Sequence, residues 1–345
     1  MAGNQRPLLM RCGAFGDIVL LTPLIRELAA RFGTPVDLVS SGAWTRPLLE
    51  GQPGVGEVYL VQSRRRPYLV SPDQWRLVRD LRRRGAGPTW FLDPAGVGKS
   101  LLTRAGIGAE WIVDAADLPG PPVEHYLEQF WRVGAHMPRA LEQPPPAPAD
   151  RVVAGAVLEV SERSRGDLGR WLAGRDLAGR RLLLVQAGNK RTMRRGARRR
   201  ASNTKYWPEE RWAAVVDTMA GRCPEHTILL LGVPSERALN DDIIRRTHAP
   251  RALNVAGDLP IPRLLALLEH ADAMVTVDTG PAHAAAAVGL PQVVLFGAAD
   301  PARYRPWGAP GAALRCVCAV PPGPLAALAA AEVSAAFGAL PLRRS

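Results

Sequence analysis

The stretch AMVTVDTGPAHAAAAVGLPQVVLF, residues 273–296, contains the pattern that decides the fold. Its apolar runs at 273–277 and 292–296 predict strands, and residues 281–288 between them predict a helix. Continuous apolar runs are typical of strands buried on both faces of a parallel sheet, and parallel strands need a crossover helix to connect them. This stretch therefore predicts a βαβ unit.

The same alternation of strands and helices extends to both sides of this unit. Further strands are predicted at 8–11, 36–39, 58–61, 89–92, 182–186 and 227–231, and further helices at 18–31, 74–84, 209–220, near 236–247, at 262–270 and at 325–340. Such alternation favours an α/β protein with doubly wound parallel sheets, whose ligands bind at the carboxyl ends of the strands.

A Pro/Ala stretch at 144–150 interrupts the pattern, and residues 151–170 after it predict an exposed helical connector. At 345 residues the chain suits two α/β domains better than one. We place an N-terminal domain at 1–175, with the connector at about 144–177, and a C-terminal domain at 178–345. Two such domains are expected to face a central cleft.

The composition indicates a basic protein of a reducing compartment. The formal net charge is +12, which favours contact with an acidic partner such as a phosphorylated lipid, a membrane surface or nucleic acid. The four cysteines form no CxxC pair. We see no secretory signal and no apolar run long enough to span a bilayer. We expect a cytoplasmic monomer, with peripheral contact to the anionic inner membrane surface left open.

The densest charge block runs from Lys190 to Arg200 (KRTMRRGARRR). A solvated loop is one interpretation, and binding of acidic lipid headgroups, of acceptor phosphates or of RNA are the others. Nucleic acid is the least favoured partner, because no aromatic side chains are interleaved with the arginines.

The loop at 278–283 is the strongest candidate site. It follows a predicted strand and opens a helix, so the N–H groups of Thr279 and Gly280 can bind a diphosphate. Asp278 can accept hydrogen bonds from sugar hydroxyls, and His283 lies on the first helical turn. A lone histidine is usually structural, but this one shares its loop with a carboxylate and an anion-binding turn.

A second basic position, Lys205, precedes a helix that begins near Pro208 in the segment KYWPEERW. A lysine there can hold a phosphate as a point charge. Trp207 and Trp212 of the same segment are predicted to be core residues rather than stacking platforms.

The loop RCGAFGD, residues 11–17, joins the first strand to its helix. Gly13 and Gly16 permit close approach of the backbone, although the loop lacks a full GxGxxG pattern. Asp17 is either a helix N-cap or a base that faces the ligand, and the residues leave both interpretations open.

The segment GVGKS, residues 96–100, looks like the end of a phosphate-binding P-loop but lacks its first glycine, which is replaced by Asp93. Lys99 is therefore interpreted as a solvated lysine. We see no Asp-x-Asp pair and no His/Cys cluster with zinc spacing. The expected chemistry uses no metal and no cofactor, and lysine and a helix dipole compensate the diphosphate charge.

Four blocks, in order over residues 8–307, resemble glycosyltransferase family 9, the ADP-heptose:lipopolysaccharide heptosyltransferases. They are Gly13–Asp17 with Thr22-Pro23, then LDPAGVGKS at 92–100, then KYWPEERW at 205–212 with GVPSE at 232–236, and finally DTGPAH at 278–283 with Gly289-Leu-Pro291 and Asp300-Pro301. The resemblance implies a GT-B fold with two Rossmann-like domains, and an inverting, metal-independent transfer.

The resemblance also implies roles for single residues. Asp17 matches the base and Lys205 a phosphate-binding lysine, whereas Glu236 matches an acid that contacts the ribose or nucleotide. Asp278, Thr279, Gly280 and His283 match the sugar-diphosphate site.

The function implied is transfer of heptose from ADP-heptose to a lipopolysaccharide core (lipid A–Kdo) acceptor. The basic insert at 191–200 is longer than the family's usual connection, so another sugar or a protein or glycan acceptor stays open. The other hypotheses are a nucleotide-sugar epimerase of the same fold and a non-enzymatic binder of anionic polymers or membranes.

Overall fold

The computed structural model describes residues 6–63, 66–93, 96, 98–147, 154–189 and 203–343. The chain divides into two compact units, Met1–Ala156 and Val157–Ser345, and each contains its own parallel sheet. This division lies inside the predicted connector at 144–177, N-terminal to the domain boundary that we placed at 175–178.

The first unit has a five-stranded sheet. Its strands are β1 (Leu8–Met10), β2 (Val36–Ser40), β3 (Val55–Leu60), β4 (Thr89–Phe91) and β5 (Ile112–Asp114). Its helices are α1 (Phe15–Leu20), α2 (Thr22–Phe32), α3 (Thr45–Leu49), α4 (Pro72–Arg84), α5 (Lys99–Arg104) and α6 (Tyr126–Gly134). All strand pairs are parallel, in the order β3-β2-β1-β4-β5.

The second unit has a six-stranded sheet. Its strands are β6 (Arg181–Gln186), β7 (His226–Leu230), β8 (Ala252–Asn254), β9 (Ala273–Val277), β10 (Gln292–Phe296) and β11 (Leu314–Cys318). Its helices are α7 (Glu162–Ala173), α8 (Glu209–Arg222), α9 (Arg237–Ile244), α10 (Ile261–His270), α11 (Gly280–Ala287), α12 (Pro301–Tyr304) and α13 (Ala330–Gly338). The strands pair in parallel in the order β11-β10-β9-β6-β7-β8.

Both strand orders are doubly wound, which confirms the predicted fold class. In each unit the chain first builds outward in one direction and then returns to the other side of its first strand. The strand order therefore reverses between β1 and β4 in the first unit, and between β6 and β9 in the second. Ligands of open α/β sheets bind outside the carboxyl ends of the strands at such a reversal. The candidate loops after β1 and β9 both begin at these points.

The cores explain why the apolar runs form central strands. Every residue of β1, β4 and β9 is buried, as expected for strands covered by helices on both faces. Trp207 and Trp212 are fully buried and pack edge to face with ring centroids 4.9 Å apart, which confirms the prediction that they are core residues.

Two helix predictions differ from the structure. The helix predicted at 18–31 is interrupted at Leu21, between α1 and α2. Pro23 has no N–H to donate, and the Thr22 hydroxyl donates instead to the carbonyl of Val19 at 2.8 Å. The second change is at the C-terminus, where the helix predicted at 325–340 shortens to α13.

The connector predicted at 151–170 is helical from residue 162 onward, as expected, but the prediction that it is exposed was wrong. Residues from 162 onward form α7, which buries Leu168, Trp171 and Leu172 and packs on α10. Two ion pairs hold the same contact, Arg165 with Glu269 and Arg263 with Asp167. The amphipathic spacing of the three apolar residues was the signal for this packing. Residues 151–153 lie outside the described part.

Three strands were missed because their sequence patterns are short or weak. Strands β5 and β8 are only three residues long, and β11 (LRCVC) alternates less clearly than the central strands. A search of the described residues found no helix that is both long and apolar enough to cross a bilayer.

Candidate functional site

Arg11 is fixed at the end of β1 by contacts on several sides. It is only 4% exposed, and its Nη1 donates to the carbonyl oxygen of Leu92, at the end of β4, over 2.7 Å. Its guanidinium carbon lies 5.4 Å from the Tyr126 ring centroid and 5.6 Å from that of Phe130, both on α6. Its Nη2 then donates to Asp17 Oδ2 at 3.0 Å. The position of Asp17 therefore depends on a buried, immobilised cation.

Asp17 is the third residue of α1, and the N-cap is Ala14. Its Oδ2 also accepts from the Ala14 N–H at 2.9 Å, so the carboxylate satisfies a donor at the helix start without being the N-cap that we considered. The Asp17 side chain keeps 19% of its surface exposed. It can therefore support the helix start and still reach a ligand.

One glycine of this loop, Gly13, is required for steric reasons. A Cβ on Gly13 would lie 2.1 Å from Asp17 Oδ2, so a side chain there would displace the carboxylate. Gly16 is buried within α1. The structure thus gives Gly13 a role as the space into which the Asp17 carboxylate fits.

Asp93 ties the loops after β1 and β4 together. It is buried at the end of β4, and its two carboxylate oxygens lie 3.0 and 3.2 Å from the Cys12 nitrogen, whose N–H they accept. In the sequence, Asp93 stands out only as a departure from the P-loop pattern. Its structural role was missed because it depends on a contact across 81 residues.

Lys99 was predicted to be a solvated lysine; its side chain is 43% exposed, but it also forms an ion pair. At the start of α5 its Nζ lies 2.5 Å from Asp114 Oδ2, at the end of β5. The hydrogen bond to Asp114 raises the pKa of Lys99 above its ordinary value.

In the second unit the structure brings Lys205 and Asp278 together at the β6–β9 reversal. Lys205 Nζ donates to the Asp278 carbonyl oxygen at 3.0 Å and also bonds the Asp278 carboxylate. The Lys205 backbone N–H donates to Asn203 Oδ1 at 3.1 Å, which fixes the loop that carries the lysine. Two residues predicted separately, 73 positions apart in sequence, therefore form one ion pair.

The start of α11 completes this loop. Thr279 is the N-cap in extended conformation, and Gly280 is the first helical residue. The first N–H groups of a helix lack partners within the helix, so this end can bind an anion. His283 lies on the first turn and is 7% exposed. Asp278, Thr279, Gly280 and His283 are thus contiguous on one strand-to-helix connection, as predicted.

Glu236 is buried near the ends of β6 and β7, at 3% exposure. It accepts a hydrogen bond from the Val233 N–H at 2.8 Å and one from the Gln186 amide at 3.4 Å. Burial raises its pKa above the ordinary value. A Cβ on Gly188 would lie 2.3 Å from Glu236 Oε1, and one on Gly232 would lie 2.9 Å from Oε2, so two glycines make room for this acid.

One feature of the composition would have strengthened the choice of Lys205. Lysine and arginine total 44, yet the lysines are only Lys99, Lys190 and Lys205. A chain that uses arginine almost throughout keeps a compact ammonium at two described positions, and each of these pairs with a carboxylate at the end of a strand.

Other predicted features fall outside these two loops. The basic block from Lys190 to Arg200 lies outside the described residues. The four cysteines are free. Within the described ranges, no group of three or more His, Cys, Asp or Glu side chains is arranged to hold a metal ion.

Comparisons with known proteins cover the residues of the loops in the second unit. Residues 185–318, which include Lys205 and the loop at 278–283, match the family model of glycosyltransferase family 9 (heptosyltransferase). Lipopolysaccharide heptosyltransferase 3 of Escherichia coli is 35% identical over 103 residues, 30% of this chain and 30% of the relative. Lipopolysaccharide heptosyltransferase 2 of Salmonella typhimurium is 24% identical over 303 residues, 83% of this chain and 81% of the relative. The match to the first of these relatives thus spans about a third of its length.

Solved structures share the fold over nearly the whole chain. A glycosyl transferase family 9 protein from Veillonella parvula superposes with a TM-score of 0.77 at 17% identity, covering 98% of this chain and 97% of that one. The ADP-heptose lipopolysaccharide heptosyltransferase II of E. coli superposes with a TM-score of 0.71 at 19% identity, covering 97% and 98%. The part of the chain that contains Lys205 and the loop at 278–283 thus matches glycosyltransferase family 9, and the fold of these solved proteins extends over nearly the whole chain.

Proposed function

We propose that the protein is an inverting, metal-independent glycosyltransferase that moves a heptose from ADP-heptose to a lipopolysaccharide core acceptor. The observation that carries the proposal is the Lys205–Asp278 pair beside the start of α11, within the residues that match the family model. The names of the relatives support the sugar and the acceptor class. They include lipopolysaccharide heptosyltransferases and a solved ADP-heptose lipopolysaccharide heptosyltransferase.

The second unit would bind the donor. The Lys205 ammonium and the N–H groups of Thr279 and Gly280 are suited to the diphosphate, and the Asp278 carboxylate is suited to sugar hydroxyls. A donor diphosphate would then compete with Asp278 for Lys205. Glu236, near the ends of β6 and β7, would accept a hydroxyl of the ribose.

The first unit would supply the base. The acceptor hydroxyl forms a bond to the anomeric carbon of the donor, and the bond from that carbon to the β-phosphate oxygen breaks. ADP leaves with the electron pair, and the hydroxyl proton moves to the Asp17 carboxylate. Asp17 can accept it because its carboxylate is partly exposed, and Arg11 holds it in place.

The leaving group sets the electrostatic requirement. Negative charge grows on the diphosphate as the bond breaks, and Lys205 with the helix N-terminus would stabilise that charge directly. His283, buried on the same turn, would position the α11 end against the sugar diphosphate.

The test is ADP release by the full-length protein, with ADP-heptose and a deacylated lipopolysaccharide core as substrates. We expect release only when both are present, and undiminished release with EDTA. If EDTA abolishes ADP release, the proposal of a metal-independent transfer is wrong. Turnover of UDP-sugars without an acceptor would favour an epimerase. If the protein binds ADP but transfers heptose to no core acceptor, the proposed donor site stands and the proposed acceptor is wrong.

A further inference from the structure

Three large apolar side chains of the first unit lie exposed next to one another. Leu69 is 83%, Val70 64% and Trp75 45% exposed. The first two belong to a 3-10 helix, Tyr68–Val70, and the third to the first turn of α4. Single exposed apolar residues are common, but a group on adjacent turns marks an interaction surface.

Hydrogen bonds to backbone carbonyls hold the segment that presents this group. The Trp75 Nε1–H donates to the Tyr68 carbonyl oxygen at 2.7 Å, which places the indole against the 3-10 helix. Ser71, buried, donates to the Pro67 carbonyl at 2.9 Å, and Gln74, also buried, donates to the Arg66 carbonyl at 3.0 Å. The backbone that presents Leu69 and Val70 is therefore held in place, with the apolar side chains outward.

Arginines surround these apolar side chains. Trp75, Arg79 and Arg83 are spaced four residues apart, so they lie along one exposed face of α4. Arg82 donates to the carbonyl of Arg104, whose guanidinium carbon lies 4.4 Å from the Tyr68 ring centroid.

The carboxylates near this face are already engaged. Asp80 pairs with Arg79, and Asp73 accepts from the N–H groups of Gln62 and Ser63. The sequence of α4 contains five arginines and two aspartates, and one of the arginines, Arg84, pairs with Asp37, so α4 keeps an excess of positive charge beside the apolar side chains.

We propose that Leu69, Val70 and Trp75, with the arginines of α4, form a docking surface for an anionic lipid bilayer. The aliphatic side chains would enter the boundary of the acyl region, and the indole would lie at headgroup depth. The guanidinium groups would contact lipid phosphates, and this charge complementarity favours a membrane over an apolar protein partner. The proposal is independent of the sugar-transfer reaction, because it requires no glycan.

The test is cosedimentation of the full chain with phosphatidylcholine vesicles, with and without phosphatidylglycerol. We expect binding only to the anionic vesicles. The variant L69S/V70S should lower the partition coefficient at least about tenfold, because it removes most of the apolar insertion. The variant R79Q/R83Q should lower it about fivefold for each charge removed.

Matched controls are taken from the second unit. L253S/V320S removes two exposed apolar side chains, and R163Q/R170Q removes two exposed arginines of α7. Neither should change vesicle binding by more than about the fivefold effect of a single charge. Melting temperatures of all variants, measured without vesicles, verify that each remains folded.

A second measurement reports insertion directly. Lipids brominated near the headgroup should quench tryptophan fluorescence of the wild type, and W75F should lose most of that quenching. Anionic vesicle binding that L69S/V70S leaves unchanged would overturn the proposal, because charge alone would then explain it. A dimer abolished by L69S/V70S, without vesicle binding, would also overturn it and assign the patch to a second copy.

Discussion

The two units hold the same kind of ion pair with opposite exposure. In the first unit the side chain of Arg11 is 5% exposed and that of Asp17 is 19% exposed. In the second unit the side chain of Lys205 is 34% exposed and that of Asp278 is 13% exposed. The carboxylate is thus the accessible partner at the β1–β4 reversal, and the cation is the accessible partner at the β6–β9 reversal. A pair of the first kind offers a base to a hydroxyl, and one of the second kind offers an ammonium to a phosphate.

The place in the chain from which each cation comes explains why Arg11 is buried and Lys205 is more exposed. Arg11 leaves the end of β1 and is enclosed by the β4 carbonyl of Leu92 and by the rings of Tyr126 and Phe130. Lys205 comes from a loop after β6 and reaches Asp278 across the reversal. We therefore interpret Arg11 as a fixed positioning residue and Lys205 as a cation that a ligand can take over.

The largest expected effect tests the accessible carboxylate. Asp17→Asn should lower kcat by about 10²–10⁴-fold and leave donor KM nearly unchanged, because the amide cannot accept the hydroxyl proton. Steady-state ADP release measures both constants. The control is Asp117→Asn, an exposed acid of the same unit, which should retain activity. An Asp17→Asn protein with wild-type kcat would show that the carboxylate is a helix-start residue only.

The next effect tests the accessible cation. Lys205→Gln should lower kcat/KM by about 10²–10³-fold, because the leaving diphosphate loses a preorganised charge. Thermal shift with ADP gives a second readout, since the wild type should gain about 2.7 kcal/mol at 100 times its Kd. Lys99→Gln is the matched control, because Lys99 pairs with Asp114 in a similarly exposed position. Equal loss of ADP binding in both variants would contradict a specific role for Lys205.

A third effect separates the fixed cation from the exchangeable one. Arg11→Ala should lower the free energy of local unfolding around β1 by about 2–3 kcal/mol, because it leaves a partly buried carboxylate and a cavity. Lys205→Ala should cost less than about 1 kcal/mol around β9, because that cation is partly solvated. Hydrogen exchange of the amides of β1 and β9 measures both. If Lys205→Ala lowered the free energy of local unfolding more than Arg11→Ala does, Lys205 and not Arg11 would be the fixed cation.

The smallest effect concerns Glu236, a carboxylate held by a backbone N–H and an amide. Burial raises its pKa, so the folded protein binds this proton more tightly than the unfolded chain does. This contribution to the free energy of unfolding is complete below pH 4.5, the ordinary pKa of a glutamate, and is lost as the pH rises through the pKa of Glu236 in the folded protein. Glu236→Gln should flatten that decline in denaturant titrations over a pH series. An unchanged pH profile would show that Glu236 does not titrate in this range.

Much of the fold follows from local patterns. The apolar runs of β6, β9 and β10 lie within a residue of their predicted bounds, because a strand buried on both faces needs little context to be recognised. The prediction that the connector is exposed was wrong because α7 packs on α10, and this contact joins segments that are distant in sequence. The interruption at Leu21 had a local signal, Pro23, but its effect depends on where the helix begins.

The candidate site divides in the same way. Local sequence was enough to single out the loop at 278–283 and Lys205 as candidates, because glycines, a proline and a carboxylate at a strand-to-helix turn are recognisable without a structure. Asp17 became the candidate base only through the family resemblance. Local sequence could not select Arg11 as the partner of Asp17, or Asp93 as a tie between loops, because both roles depend on contacts made in the folded sheet.

The sequence by itself determined the alternation of strands and helices, the loops that carry polar groups and the excess of positive charge. These properties are local or additive along the chain. Only the tertiary structure decided which charges meet and which member of each pair is exposed. The physical reason is that burial and pairing depend on the order of strands in each sheet. In the first unit that order encloses Arg11 and exposes its carboxylate partner, and in the second unit it leaves Lys205 the more exposed member of its pair.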